Sequence, residues 1–248
     1  MKKLLAALLL TATPALSLDL GAMTDAEKEA FGAAVRDYLV ENPEVMVEVM
    51  TALEEQRLAQ EAENDSVMLS QLEDQIYNDD NSWVGGNPDG DVTMVEFIDY
   101  RCGVCRQVFP IVEETLASDG NIRLILKDFP ILGEESELAA RFATAVKQIE
   151  GDEAYKQVHD HFYNMRGNVT TEALRATAEE MGFAADEIMT AMDSDAVSEV
   201  LADNARLASQ LGLSGTPSFI IGDTLLRGMP RTGLAPVIEE ARAAASEG

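Results

Sequence analysis

Val95-Glu96-Phe97-Ile98-Asp99-Tyr100-Arg101-Cys102-Gly103-Val104-Cys105 is the stretch on which the fold turns. Val92 to Ile98 is a short apolar run that reads as a buried strand. Cys102 follows after a short link, and Cys105 to Ala117 carries a helical pattern interrupted by Pro110. A Cys-x-x-Cys pair is thereby set at a strand-to-helix junction. Cys102 and Cys105 are the chain's two cysteines. A disulfide stabilises mostly by closing a long loop in the unfolded chain, and a two-residue spacer closes almost none. A structural staple is therefore a poor account of the pair. Structural zinc wants four ligands; the second pair is missing, and His159 and His161, two apart on a predicted helix, point to different sides. No metal site is expected, and both histidines are expected at the surface or half-buried. The reading that remains is a redox centre. Cys102, at the helix N-terminus, is the expected attacking thiol, because unpaired N–H groups and the dipole favour its thiolate. Cys105, one turn along and more buried, is the expected resolving thiol.

Outward from this turn, Ile122 to Lys127 reads as a second strand and Glu134 to Gly212 as about five helices, divided at Gly151, Gly167–Thr170, Gly182 and Asp193–Asp195. Ser218–Ile221, a Gly222-Asp223 turn and Thr224–Arg227 read as a β-hairpin, and Pro236–Ala245 as a closing helix. Strand, helix, strand in this order makes a right-handed crossover with parallel strands. The glycine-rich stretch Asn78–Asp91 reads as a loop or hairpin at a domain boundary.

Towards the N-terminus, residues 24–78 are almost wholly helical in pattern. Thr24 or Asp25 can cap a first helix, and Asn42-Pro43 separates it from a second. Val45, Met46, Val49, Met50 and Leu53 form an apolar stripe with no obvious core of its own, whereas Glu54–Asp65 reads as an exposed helical connector. Met1-Lys2-Lys3, the apolar run Leu4–Leu10 and the small residues before Ser17 have the order of a secretory signal, and the run is shorter than the ~20 residues a bilayer requires. The expected division is a signal at 1–17, an N-terminal helical oligomerisation segment and connector at 18–80, and a redox domain at 81–248 with a helical insertion at about 134–212. A net charge of −27, from 18 basic and 45 acidic residues, repels nucleic acid and anionic lipid.

Three motifs in this order resemble the DsbA-like branch of thioredoxin-fold proteins: Val95–Cys105, Lys127-Asp128-Phe129-Pro130-Ile131-Leu132, and Gly215-Thr216-Pro217-Ser218-Phe219. Residues 24–60, with Val40-Glu41-Asn42-Pro43-Glu44, are similar to the N-terminal segment of a periplasmic subgroup that includes the suppressor-of-copper-sensitivity thiol oxidoreductases and outer-membrane-associated relatives. The resemblance implies an α/β thioredoxin fold with an inserted helical subdomain, and a cis peptide before Pro217 facing the cysteines. It implies a redox-active disulfide in place of a cofactor. Thr216 and Pro217 would bind the substrate strand. Unfolded or misoxidised exported proteins, a membrane-bound redox partner and further copies of the chain would be the partners, in the periplasm. The family's strong oxidant carries Pro-His between its cysteines, where this chain has Gly103-Val104, and Thr216 is the residue type of isomerase and reductase relatives. Disulfide isomerase or reductase chemistry is therefore expected, with a dithiol oxidase, and a binding protein with an inert disulfide, as alternatives. The resemblance also assigns the family's buried acid to Glu96. Such an acid passes a proton during exchange, with Lys127 on the next strand as its expected ion partner. Asp99 is expected at the surface and Trp83 as a packing residue.

Overall fold

The computed structural model describes residues 23–247; the expected signal at 1–17 lies outside them. The described chain forms two compact units, one up to Arg57 and one from Leu58. In the first, helix α1 (Asp25–Glu41) starts at a capping box in which Thr24 and Glu27 satisfy each other's main-chain N–H groups. The helix stops at Asn42, whose N–H and side-chain amide both donate to the Tyr38 carbonyl. Helix α2 (Glu44–Gln71) begins directly after Pro43. No residue of α1 is buried, and Val40, Met50 and Leu53 are 70%, 67% and 60% exposed.

In the second unit α2 is unbroken through the stretch expected as an exposed connector, and Asp65 there is buried. Arg227 is the reason: its guanidinium binds both Asp65 oxygens, at 2.7 and 2.8 Å, and desolvation of the carboxylate is compensated. Beyond it Leu69, and Ile76 in helix α3 (Glu73–Tyr77), enter the core.

The sheet has five strands: β1 (Trp83–Gly86), β2 (Val92–Ile98), β3 (Ile122–Asp128), β4 (Ser218–Ile221) and β5 (Thr224–Leu226), in the order β1-β3-β2-β4-β5. β2 and β3 are parallel, joined by helix α4 (Gly103–Asp119), and the other pairs are antiparallel. β1 falls in the stretch expected to be a loop or hairpin. Trp83 and Val84 favour a strand but Gly85 and Gly86 do not, and β1 is held by register on β3 and by Trp83, which stacks on Tyr155 and donates to the Asp152 carbonyl. Gly86 is required there, since at φ 66° a Cβ would stand 2.4 Å from the Ile122 carbonyl oxygen.

Helices α5 (Glu134–Glu150), α6 (Asp152–Asn164), α7 (Thr171–Met181), α8 (Ala185–Ala191) and α9 (Asp195–Gln210) form the insertion between β3 and β4, and α10 (Ala235–Glu247) follows β5. Thr170 and Ser194 cap α7 and α9 through their hydroxyls, each cap contributing about 1 kcal/mol. Alternation along the strands separates two cores. Met94, Ile98, Leu124 and Leu126 face α4 and the insertion, whereas Val95, Phe97 and Ile125 face Leu69, Ile76 and Leu207. This is the expected thioredoxin-type α/β fold with an inserted helical subdomain. Among the described residues no helix is long and apolar enough to cross a membrane.

Candidate active site

Cys102 is the N-cap of α4, and the Cys105 N–H donates to its sulfur at 3.4 Å. Both cysteines are free thiols, Cys102 7% and Cys105 1% exposed. Burial opposes ionisation of Cys102, but the nearby Thr216 side chain and hydrogen bonds from the first turn of α4 at Cys105 and Val104 outweigh it and hold the thiol below its usual value. Burial pushes the Cys105 thiol far above that value, against smaller opposing hydrogen bonds from the Asp99 main chain and Thr216. Two identical side chains three residues apart thus differ in how readily they ionise, the outer one more readily and the inner one less.

The loop before β4 faces this pair. The Thr216–Pro217 peptide is cis, and the Cys102 sulfur lies 3.2 Å from the Thr216 carbonyl oxygen. The Ser218 hydroxyl donates to the Gly215 carbonyl and closes the loop on itself. The Thr216 hydroxyl is buried with no hydrogen-bond partner of ordinary geometry among the described residues; its influence falls on the two sulfurs, where it favours the thiolates. Beside the loop is a small cleft of about 140 Å³ lined by Ser214–Ser218, Arg227 and Gly228.

Glu96 is buried on the face of β2 that carries Met94 and Ile98. Burial pushes its carboxyl up to about 8, with the Glu113 carboxylate adding to the rise. Its charge in turn raises the Cys105 thiol. Lys127 does not pair with it. In the parallel register Glu96 stands opposite Leu126 and Phe97 opposite Lys127, so the lysine belongs to the other face of the sheet. There it is 1% exposed and bonded to Asp79 and Ser82.

Two further expectations are corrected. Asp99 is buried, its carboxylate occupied by main-chain N–H groups. His159 is buried among Tyr100, Phe109, Tyr155 and Tyr163, and burial pulls its imidazole down to about 3, so the ring is neutral. Asp128, which the sequence reading left without a role, is a second buried acid, on the same face as Glu96. Both its oxygens are 3.3 Å from the Tyr155 hydroxyl, to which Tyr100 is linked at 3.2 Å; burial pushes the carboxyl up to about 7. The parallel pairing of β2 and β3 was legible in the sequence, but the register that puts Asp128 on the face of Glu96 was not. Among the described residues no group of three or more His, Cys, Asp or Glu side chains is placed to hold a metal.

Residues 93–234 match the DSBA-like thioredoxin domain. The chain belongs to that family. Residues 27–60 match the copper resistance protein ScsC N-terminal domain. A thioredoxin-like oxidoreductase from Silicibacter pomeroyi is 35% identical, the match covering 71% of this chain and 98% of that one, with a TM-score of 0.63. A periplasmic thioredoxin-like protein from Salmonella enterica serovar Typhimurium is 28% identical over 70% of this chain and 97% of its own, TM-score 0.61. BcfH of Salmonella enterica Typhimurium matches 88% of this chain and 96% of its own at 25% identity, TM-score 0.70. Among curated relatives, Na(+)/H(+) antiporter NhaA 1 of Salinispora arenicola is 27% identical over 143 residues; the match takes in 57% of this chain but only 22% of that protein's length. The DSBA-like family to which the chain belongs is one of thiol–disulfide oxidoreductases.

Proposed function

We propose that this DSBA-like protein exchanges disulfides on exported proteins as an isomerase or reductase. The observation that carries the reading is the division of labour in the redox turn: Cys102 caps α4 with a lowered thiol pKa opposite Thr216, and Cys105 is buried with a raised one. In the first step the Cys102 thiolate attacks one sulfur of a substrate disulfide. A Cys102–substrate disulfide forms, and the other substrate sulfur leaves as a thiolate. If a second substrate thiolate attacks this mixed disulfide, Cys102 is regenerated, the substrate disulfide has moved, and no electrons are transferred overall. If Cys105 attacks Cys102 instead, the substrate leaves reduced by two electrons and the Cys102–Cys105 disulfide remains. Cys105 gives up its proton in that step, and the carboxylate form of Glu96, whose carboxyl burial pushes up to about 8, is the base suited to take it. The main chain of Thr216, ahead of Pro217, holds the extended substrate as an added strand.

The Gly103-Val104 spacer and Thr216 favour isomerase or reductase action over pure oxidation. A periplasmic setting agrees with the basic and apolar start of the chain and with the periplasmic relative from Salmonella. The exposed apolar side chains of α1 and α2 join several copies, since apolar helix faces of this size are buried somewhere. A membrane-bound partner resets the pair. The test is refolding of a scrambled disulfide protein together with trapping. Cys105→Ser should accumulate mixed disulfides with substrate and Cys102→Ser should not. Recovery of native disulfides without added oxidant supports isomerisation, whereas net thiol loss from a reduced substrate indicates an oxidase.

A further inference from the structure

The redox turn is tied to a second loop by a single side chain. Asp99 ends the approach to Cys102 and is 1% exposed. One carboxylate oxygen accepts the Arg101 N–H at 2.7 Å. The other accepts the N–H groups of Ile131 and Leu132, at 2.9 and 3.1 Å. The Asp99 carbonyl also accepts the Cys102 N–H at 3.1 Å. A buried carboxylate is costly unless its lone pairs are occupied, and three main-chain donors occupy these.

The reason the loop needs such an acceptor is local. The β2–β3 ladder continues to Phe129, whose N–H reaches the Ile98 carbonyl. Pro130 has no N–H and ends it. Ile131 and Leu132 then have donors but no strand partner, and Asp99 supplies the missing acceptor. The side chains of the same two residues point outward, 38% and 55% exposed, and Val104 within the redox turn is 50% exposed. Among the described residues from Leu58 onward, the large apolar residues exposed to this degree are these three, Leu58, Val67 and Ile111. Half of them therefore lie on two segments that Asp99 fastens together.

We propose that Asp99 is a positioning residue for exchange on protein substrates: its carboxylate holds the Ile131–Leu132 loop against the redox turn, so that Ile131, Leu132 and Val104 form one apolar shelf for the side chains of an unfolded substrate flanking its disulfide. The inference rests on Cys102 as the attacking thiol and deepens that reading. It separates two functions of the site. Sulfur exchange belongs to Cys102 and Thr216, and grip on the polypeptide belongs to the shelf.

The experiment compares kcat/KM for two probes, hydroxyethyl disulfide and a disulfide-linked unfolded peptide with leucine and phenylalanine beside its cysteines. Cys102→Ser on both probes is run first. If it leaves their rates unchanged, the parent reading fails, independently of the shelf. Asp99→Ala removes all three acceptor contacts, and the ratio of peptide to small-disulfide kcat/KM should fall about tenfold or more. Asp99→Asn keeps one oxygen, which can stay with the two loop donors, and should restore most of the ratio. Ile131→Ser with Leu132→Ser alters exposed side chains only, so it reports even if Asp99→Ala does not fold, and it should lower the ratio similarly. A ratio unchanged in the double variant, or an equal fall for both probes in Asp99→Ala with no recovery in Asp99→Asn, overturns the proposal.

Discussion

The Cys102 sulfur lies 3.2 Å from the carbonyl oxygen of Thr216, so the main chain of the loop that closes on the redox turn meets its outer sulfur. The side chain of the same threonine bears on both sulfurs, and in each case it favours the thiolate. Thr216→Val keeps the shape and removes the hydroxyl. The Cys102 pKa should rise toward the usual thiol value and the exchange rate at neutral pH should fall. Thiolate ultraviolet absorbance followed across a pH titration measures the shift, and an unchanged titration would deny the hydroxyl this role.

Glu96 links pH to stability. The unfolded carboxyl ionises near ~4.3, and the folded one near about 8 because burial disfavours its charge. Between these values the folded state holds a proton that the unfolded state has released. Stability therefore falls as pH rises through that window, by up to about 1.4 kcal/mol per pH unit. Glu96→Gln cannot ionise, so its stability relative to the natural chain should climb from pH about 4.3 to about 8. Urea unfolding at several pH values tests this; a difference independent of pH would show that Glu96 is not held protonated. Asp128 acts in the same direction and cancels in the comparison.

Lys127 and Asp79 form a pair with a buried cation. Asp79→Ala strands the Lys127 ammonium and should cost about 3–5 kcal/mol. The lysine is on the far face of the sheet from Glu96, so the Cys102 pKa should hold. A loss of stability under 1 kcal/mol, or a shifted Cys102 titration, would contradict the assignment.

What the sequence made legible and what it hid divide along the range of the interactions. Cys102 at a helix N-terminus is a local matter of strand, link and helix, and so are the five insertion helices, whose breaks at Gly151, Thr170, Gly182 and Ser194 are caps. The misplaced partner of Glu96 is a register matter. A strand's two faces differ by one residue, and nothing within Ile122–Asp128 says whether Leu126 or Lys127 stands opposite Glu96. Asp99 and β1 were hidden for a similar reason. The donors that bury Asp99 come from residues 131 and 132, and the strand that fixes Trp83 comes from β3. His159 is flanked by Tyr155 and Tyr163 four residues away on its own helix, but its burial is completed by Tyr100 and Phe109 from the redox turn and α4, which its own helical pattern does not reveal.

Truncation should follow the packing rather than the glycine-rich stretch. A chain beginning at Asn81 loses Leu69 and Ile76 from the core, at about 2–5 kcal/mol for each such side chain. A chain beginning at Leu58 keeps them and discards the exposed apolar helix surface. It should be folded and monomeric by light scattering, whereas the longer chain beginning at residue 18 should be oligomeric. A monomeric longer chain removes the basis for the oligomer.

The central claim is that Cys102 attacks and Cys105 resolves. Alkylation of the reduced protein with iodoacetamide across pH, with each thiol followed by peptide mass spectrometry, tests it most directly. Cys102 should be labelled first, with a midpoint below the usual thiol value of about 8.5, while Cys105 stays protected into strongly alkaline solution. Labelling of Cys105 first, or of both thiols together near the usual value, would contradict the account.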